Sequence, residues 1–401
     1  MDASCRKTGG ISINAHDLRS IVRGLYGWGA MPRYLYAAAV CGVWALCFAP
    51  VASTQSMTTC EAANPFDTVP DDAALQACLD NYDRVLLKPN YLPGYVGYLL
   101  GNTIRLKRPG ALLTTADNPH KATILAAPGL SSSMFRALGV DDFEVSFIRF
   151  DGNRENRSAS VKPCDDFHNY GNVELSGKRF HIRYVESTGA VCGSGMTVGD
   201  SSDFEIYGSW FYDNGRQPED ANNIAGYWAD GLTVFNCANS TIRDNDFWDN
   251  TDVDLGVNGG PKCSVYRNTI THSYQYAFAG LVAGDPSRSG GEFSANLVSS
   301  GYNLLGFGII AGCHPWSQCG GGYASNVAVY DNIIIGAVVN LAVDGLSGGS
   351  IRNNSMRGAQ GTRVLNCPGT PADYTLGHAI NVFPLQTGYV VRTFDFGAPC
   401  Q

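Results

Sequence analysis

The sequence predicts an all-β fold, a parallel β-solenoid closed at its N-terminal end by a short helix. Three observations carry this. A phrase in which an apolar residue precedes Asn by three positions returns along the chain. Charged residues make up only 16%, while glycine numbers 47 and aromatics reach 11%, which suits a β-protein with many turns better than a helical bundle. The apolar stretches are short and rich in Val, Ile and Phe, as period-two strands require.

The phrase reads STIRDNDF from Ser240, CSVYRNTI from Cys263, GEFSANLV from Gly291, VAVYDNII from Val327 and GSIRNNSM from Gly349. Its pairs are Ile242/Asn245, Val265/Asn268, Phe293/Asn296, Val329/Asn332 and Ile351/Asn354, with Asn spacings of 23, 28, 36 and 22. Looser copies begin at Phe143, Phe180 and Phe204. A unit of roughly 22–24 residues is one solenoid coil, each strand bonding to its counterparts in the coils above and below. The repeated Asn fits a ladder, because it tolerates left-handed backbone at a bend and its amides bond along the axis. A leucine-rich repeat has a similar period, but its Leu frame is missing.

The N-terminal cap is expected at DDAALQACLD, Asp71–Asp80, with Leu75, Cys78 and Leu79 on one side. A helix there covers the otherwise open end of the core. DRVLLKP then reads as the first strand.

Ahead of the cap, Arg33 precedes the apolar run YLYAAAVCGVWALCFAPVAS. Val51 and Ser53 suit a signal-peptidase site, so residues 1–53 read as a leader, with Met31 as an alternative start and Thr54 as the first mature residue. An uncleaved membrane anchor is the other reading of the run. The remaining body, 54–401, is expected to be one domain with its cap at about 65–90 and an irregular tail at about 361–401. Ten cysteines follow the leader. Sequential pairing gives 60–78, 164–192, 237–263, 313–319 and 367–400, in keeping with a secreted, periplasmic or cell-surface protein.

The formal charge of −8 becomes −11 once the leader's five basic and two acidic residues are removed. Such a chain does not attract nucleic acid, and no lasting membrane partner is expected after leader removal. It also has no general attraction for an anionic polymer.

The helix, the VLLKP strand, FIRFDGNRENR at Phe147–Arg157 and the Asn-marked coils together resemble the right-handed parallel β-helix, pectin-lyase-like superfamily over about residues 65–360. The resemblance implies a right-handed solenoid. It leaves activity open, since the superfamily holds hydrolases, lyases, epimerases and adhesins.

Candidate chemistry concentrates in NDFWDNTDVDLGVNGG, Asn245–Gly260. Stacking YWADGLTVFN on TDVDLGVNGG sets Asp230 one coil from Asp254, or from Asp252 if the register slips. Neighbouring carboxylates repel as anions, so one keeps its proton, giving the acid and base that glycoside hydrolysis needs. Alternation places Asp252 and Asp254 on one face, expected to be the outer one because buried charges in a solenoid core are unfavourable. Trp210, Tyr212, Tyr227, Trp228, Trp248, Arg216, Lys262 and His272 are the candidate substrate-binding residues. The inserts at Asp213–Trp228, Gly284–Gly291 and Gly312–Tyr323 are expected to form walls.

NTDVD, Asn250–Asp254, is similar to the Asn-Thr-Asp-Gly-x-Asp motif of polygalacturonase-like hydrolases, which implies a catalytic Asp252. The sequence departs from that group in having QYAFAG where an Asp-Asp pair belongs, and in lacking its Gly-His-Gly and Arg-Ile-Lys motifs. The expected function is thus an exported glycoside hydrolase acting on a polysaccharide or other glycan. The alternatives are a lyase or epimerase assisted by calcium held on the Asp cluster, with Lys262, Arg267 or Arg243 as base, and a non-catalytic glycan-binding or structural surface solenoid.

Overall fold

The computed structural model describes residues 56–358, apart from 91–96, 118, 158–163, 166–167, 170, 217–227, 302–303, 314–315, 317–321 and 344, and two further strands, Val364–Asn366 and Asp373–Tyr374. Among these residues, three parallel sheets of twelve, ten and ten strands wind into a right-handed parallel β-helix. Each coil contributes one short strand to every sheet. Sheet A contains Thr241–Arg243, sheet B contains Asp246–Trp248 and sheet C contains Val253–Val257. The two strands beyond residue 358 add to sheets C and A.

Alternation within each strand fills the interior. In sheet A, Ile206, Ile242, Val265, Phe293, Val329 and Ile351 succeed one another coil by coil, all fully buried. Burying a side chain of this size contributes roughly 1.5–3 kcal/mol, so every rung adds stability of its own.

The recurring Asn residues form the expected ladder at the corner between sheets A and B. Nδ2 of Asn245 donates to Oδ1 of Asn268 at 3.0 Å, and the step repeats from Asn268 to Asn296 at 3.0 Å, Asn296 to Asn332 at 3.0 Å and Asn332 to Asn354 at 2.9 Å. Each Nδ2 also donates to a strand carbonyl of the preceding coil, such as that of Ile242 for Asn268. The left-handed backbone falls one residue earlier than expected. Asp244, Arg267, Ala295, Asp331 and Asn353 carry φ between 53° and 56°. The Asn itself is buried for its hydrogen bonds, and its predecessor makes the bend.

The cap helix spans Asp72–Asn81 and buries Leu75, Cys78 and Leu79. Asp71 precedes it, and its carboxylate accepts the N–H groups of Asn64 at 2.7 Å and Leu99 at 3.2 Å. The Cys60–Cys78 disulfide fastens the helix, and Cys237–Cys263 closes a corner between coils. Both pairs are those the sequential pattern predicts. Cys192 and Cys313 are also disulfide-bonded. The side chains of Cys164, Cys319, Cys367 and Cys400 lie outside the described residues, as does the leader at 1–53.

Candidate carboxylate site

The outer face of sheet C holds the candidate site. Its strands Gly193–Ser202, Ala229–Val234, Val253–Val257 and Ala277–Ala283 stack in that order. Asp230 lies beside Ser194 of the preceding coil. Asp252 sits just before its own strand, held between coils. Its N–H donates to Ala229 O at 3.2 Å, and its carbonyl accepts Phe278 N–H at 2.7 Å.

The two carboxyl groups have unequal surroundings. Asp230 is 7% exposed. Its Oδ1 accepts the Val253 N–H at 3.1 Å, and its Oδ2 accepts the Thr233 hydroxyl, which is 2.8 Å from the Ser194 hydroxyl. Burial pushes its pKa up to about 6, against the opposing effect of these hydrogen bonds. Asp252 is half-buried, and its carboxyl makes no hydrogen bond to any described residue. Burial lifts its pKa well above the usual carboxylate range, and the Asp230 charge lifts it further. The geometry thus sets a carboxyl group held by donors beside one that burial and the Asp230 charge bias towards its protonated form.

Asp254 does not share this face. It is fully buried, with Oδ2 2.6 Å from His272 Nε2 and Oδ1 accepting Asn250 Nδ2–H at 2.8 Å. The strand bends at this point. Val253 packs in an outer apolar cluster, whereas Leu255 belongs to the main core, so Asp254 and Leu255 both turn inward and simple alternation fails. Pairing of Leu232 with Leu255 puts Gly231 level with Asp254 and Asp230 level with Val253, one position from the expected register. A Cβ on Gly231 would meet Asp254 O at 2.5 Å and Asn250 Nδ2 at 2.9 Å. This corner therefore takes glycine in one coil and an inward carboxylate in the next. His272 accounts for the carboxylate.

His272 is 2% exposed, closed off within the solenoid. Its Nδ1 lies 2.9 Å from Gln275 O. Burial, the largest influence, lowers its pKa, but the charge and hydrogen bond of Asp254 with further contacts outweigh it and leave the value raised.

The aromatic candidates divide between sheets. Trp210, Tyr212 and Trp248 lie on sheet B, across the corner from the carboxylates. Tyr212 and Trp248 stack at 4.2 Å, Tyr212 donates to Glu186 at 3.2 Å, and Lys121 Nζ lies 3.5 Å over Trp210. Trp228 is half-buried two residues before Asp230. Arg216 faces Glu155 at 3.8 Å. Lys262 is exposed in a turn with φ 56°. Arg243 pairs with Glu205 and Arg267 with Asp244, each at 2.7 Å, which ties both down on sheet A. Tyr227, Glu219, Asp220 and His314 lie outside the described residues.

Two contributions escape the sequence reading. Ser194 and Thr233 brace Asp230, and aligning GSGMTV, ADGLTV and DVDLGV, from Gly193, Ala229 and Asp252, on their apolar fourth and sixth positions exposes both them and the true register. Phe278, one coil beyond Asp252, joins Trp316 at 5.8 Å and Phe307 at 5.3 Å in an apolar shelf with Val253 and Ala279. Among the described residues, no group of three or more His, Cys, Asp or Glu is arranged to hold a metal ion.

No family model matches the sequence, and no curated protein matches it. Solved structures share the fold. The Dettilon tailspike protein aligns with a TM-score of 0.51 at 12% identity, over 81% of this chain and 67% of that one. The A-module of the Azotobacter vinelandii mannuronan C-5 epimerase AlgE4 aligns with a TM-score of 0.48 at 14% identity, over 79% and 99%. With the three parallel sheets, the likeness to the tailspike protein shows a right-handed parallel β-helix fold.

Proposed function

We propose that the protein is an exported carbohydrate-active enzyme, a glycoside hydrolase that cleaves a polysaccharide on the outer face of sheet C. The observation that carries this is the inequality between Asp230 and Asp252. Two neighbouring carboxyl groups are both lifted by burial, but hydrogen-bond donors stabilise the anion of only one. Asp252 holds the proton and serves as general acid to the leaving oxygen. Asp230 is the anion that acts as nucleophile or base. Phe278 and Trp316 supply an apolar surface beside the pair for the carbon face of a sugar ring. The disulfides support folding in an oxidising compartment, in keeping with cleavage of the 1–53 leader.

The test incubates the disulfide-bonded chain with a panel of neutral and acidic polysaccharides, reading reducing ends and ultraviolet absorbance together. Reducing ends without absorbance, lost in both Asp230→Asn and Asp252→Asn, support hydrolysis. An absorbing product means β-elimination and overturns it. Silence from folded protein that is still retarded in polysaccharide gels leaves a binding solenoid.

A further inference from the structure

The proposed site does not use the N-terminal end of the same sheet face. There, an open depression of about 280 Å³ is lined by Arg105, Lys107, Arg136 and Leu138, among others. Arg136 is engaged by Glu174 at 3.0 Å, and Lys107 by Asp80 at 3.1 Å. Arg105 is exposed and makes no ion pair with any described residue. Leu138, 51% exposed, adds an apolar wall.

Register connects this depression to the carboxylates. Arg105 pairs with Arg136, Arg136 with Glu174, Glu174 with Thr197 and Thr197 with Thr233. Thr233 is the residue that donates to Asp230. Four steps of about 4.8 Å put Arg105 roughly 19 Å along one column from the candidate site. The column runs along the solenoid axis, so an extended polymer lying on it reaches both. In a chain as acidic as this one, cations gathered around a depression create a local field opposite to the net charge.

We propose that this depression is a distal subsite for an anionic substituent, a carboxylate or sulfate, on the glycan that the sheet C face binds. The proposal rests on the hydrolase reading for the position of the reacting bond, and it narrows the substrate class to acidic polysaccharides. Arg105 makes the charge-assisted contact in the fork geometry that suits both anions. Arg136 is held in place by Glu174, and Leu138 faces the carbon side of the sugar.

The experiment is affinity electrophoresis of the full disulfide-bonded chain in gels containing polygalacturonate, dextran sulfate or dextran. Wild type, Arg105→Gln and Arg105→Lys are compared. The expected result is retardation by at least one anionic polymer, weakening with salt, and none by dextran. Arg105→Gln should lower apparent affinity about tenfold, and Arg105→Lys should lower it less. Retardation by polygalacturonate alone assigns a carboxylate, and by dextran sulfate alone a sulfate. Equal retardation of wild type and Arg105→Gln overturns the subsite, as does dextran binding as strong as anion binding or no retardation by either anionic polymer. Because the readout is binding, it stands apart from the hydrolysis assay. Loss of one leaves the other to be judged on its own.

Discussion

Asp254 and His272 form an ion pair in the interior of the solenoid, Oδ2 to Nε2 at 2.6 Å, with both side chains closed off from solvent. Asn250 donates to the other carboxylate oxygen, and Gln275 O faces the other ring nitrogen. Removing one partner leaves the other buried and uncompensated, which costs about 3–5 kcal/mol. Asp254→Ala and His272→Ala should each lower the urea midpoint by that equivalent, and the double variant should lose less than the sum. Additive losses would mean that the two residues do not act as a pair.

This pair also fixes a pH dependence. The folded His272 pKa lies above its unfolded value, so its contribution is fully present below about pH 6.5 and is lost as pH rises through the folded value. The stability gap between wild type and His272→Gln should therefore narrow from pH 6 towards pH 9. A gap that widens over that range would contradict the assignment.

The carboxylates of sheet C carry the same sign of linkage as His272. Both have raised folded pKa values, so each favours the folded state at low pH and opposes it once ionised. Asp252→Asn should remove hydrolysis by at least about 100-fold and raise stability at pH 8 by about 1 kcal/mol. Thermal melts beside activity measurements read both. In Asp230→Asn, carbon-13 NMR of the Asp252 carboxyl should show its pKa falling, because a neighbouring charge has gone.

Gly231→Ala tests the corner. The added carbon would sit 2.5 Å from a backbone oxygen, so relief requires movement of the Asp254 strand. Overpacking of this kind costs about 1–3 kcal/mol. Activity should fall with stability, since the Asp230 oxygens are held by the adjoining Val253 N–H and Thr233 hydroxyl. An unaltered melting temperature would show that the corner has room.

The Asn ladder makes a fifth prediction. Asn296 accepts from Asn268, donates to Asn332 and to Val265 O, and has no exposed edge. Asn296→Ala strands these partners and should cost about 3 kcal/mol or more. Asn296→Asp should also destabilise, because an ionised carboxylate has no proton to donate. Equilibrium unfolding measures both.

The sequence carries the ladder, the cap helix and two disulfides because each depends on residue types at fixed spacing. Asn245, Asn268, Asn296, Asn332 and Asn354 can be read without knowing any contact. The site is harder. Asp230, Asp252 and Asp254 are visible as acids, but which of them faces outward depends on a bend of one residue, and period-two reasoning assumes a straight strand. The clue lay in Gly195, Gly231 and Gly280, whose column admits Asp254 only because His272 is there to meet it. Trp210, Tyr212 and Trp248 look close to the carboxylates in sequence, yet a corner sends them to another face.

The interval from Asn296 to Asn332 is 36 residues and that from Asn332 to Asn354 is 22, yet the amide contacts are 3.0 Å and 2.9 Å. Fourteen additional residues leave the axial pitch untouched. The solenoid thus behaves as a ruler whose graduations are amides, with excursions hung from it at no expense in spacing. Loops can lengthen, shorten or exchange between coils while the outer face of sheet C keeps its dimensions, so the connections between strands are free to diversify around an unchanging floor.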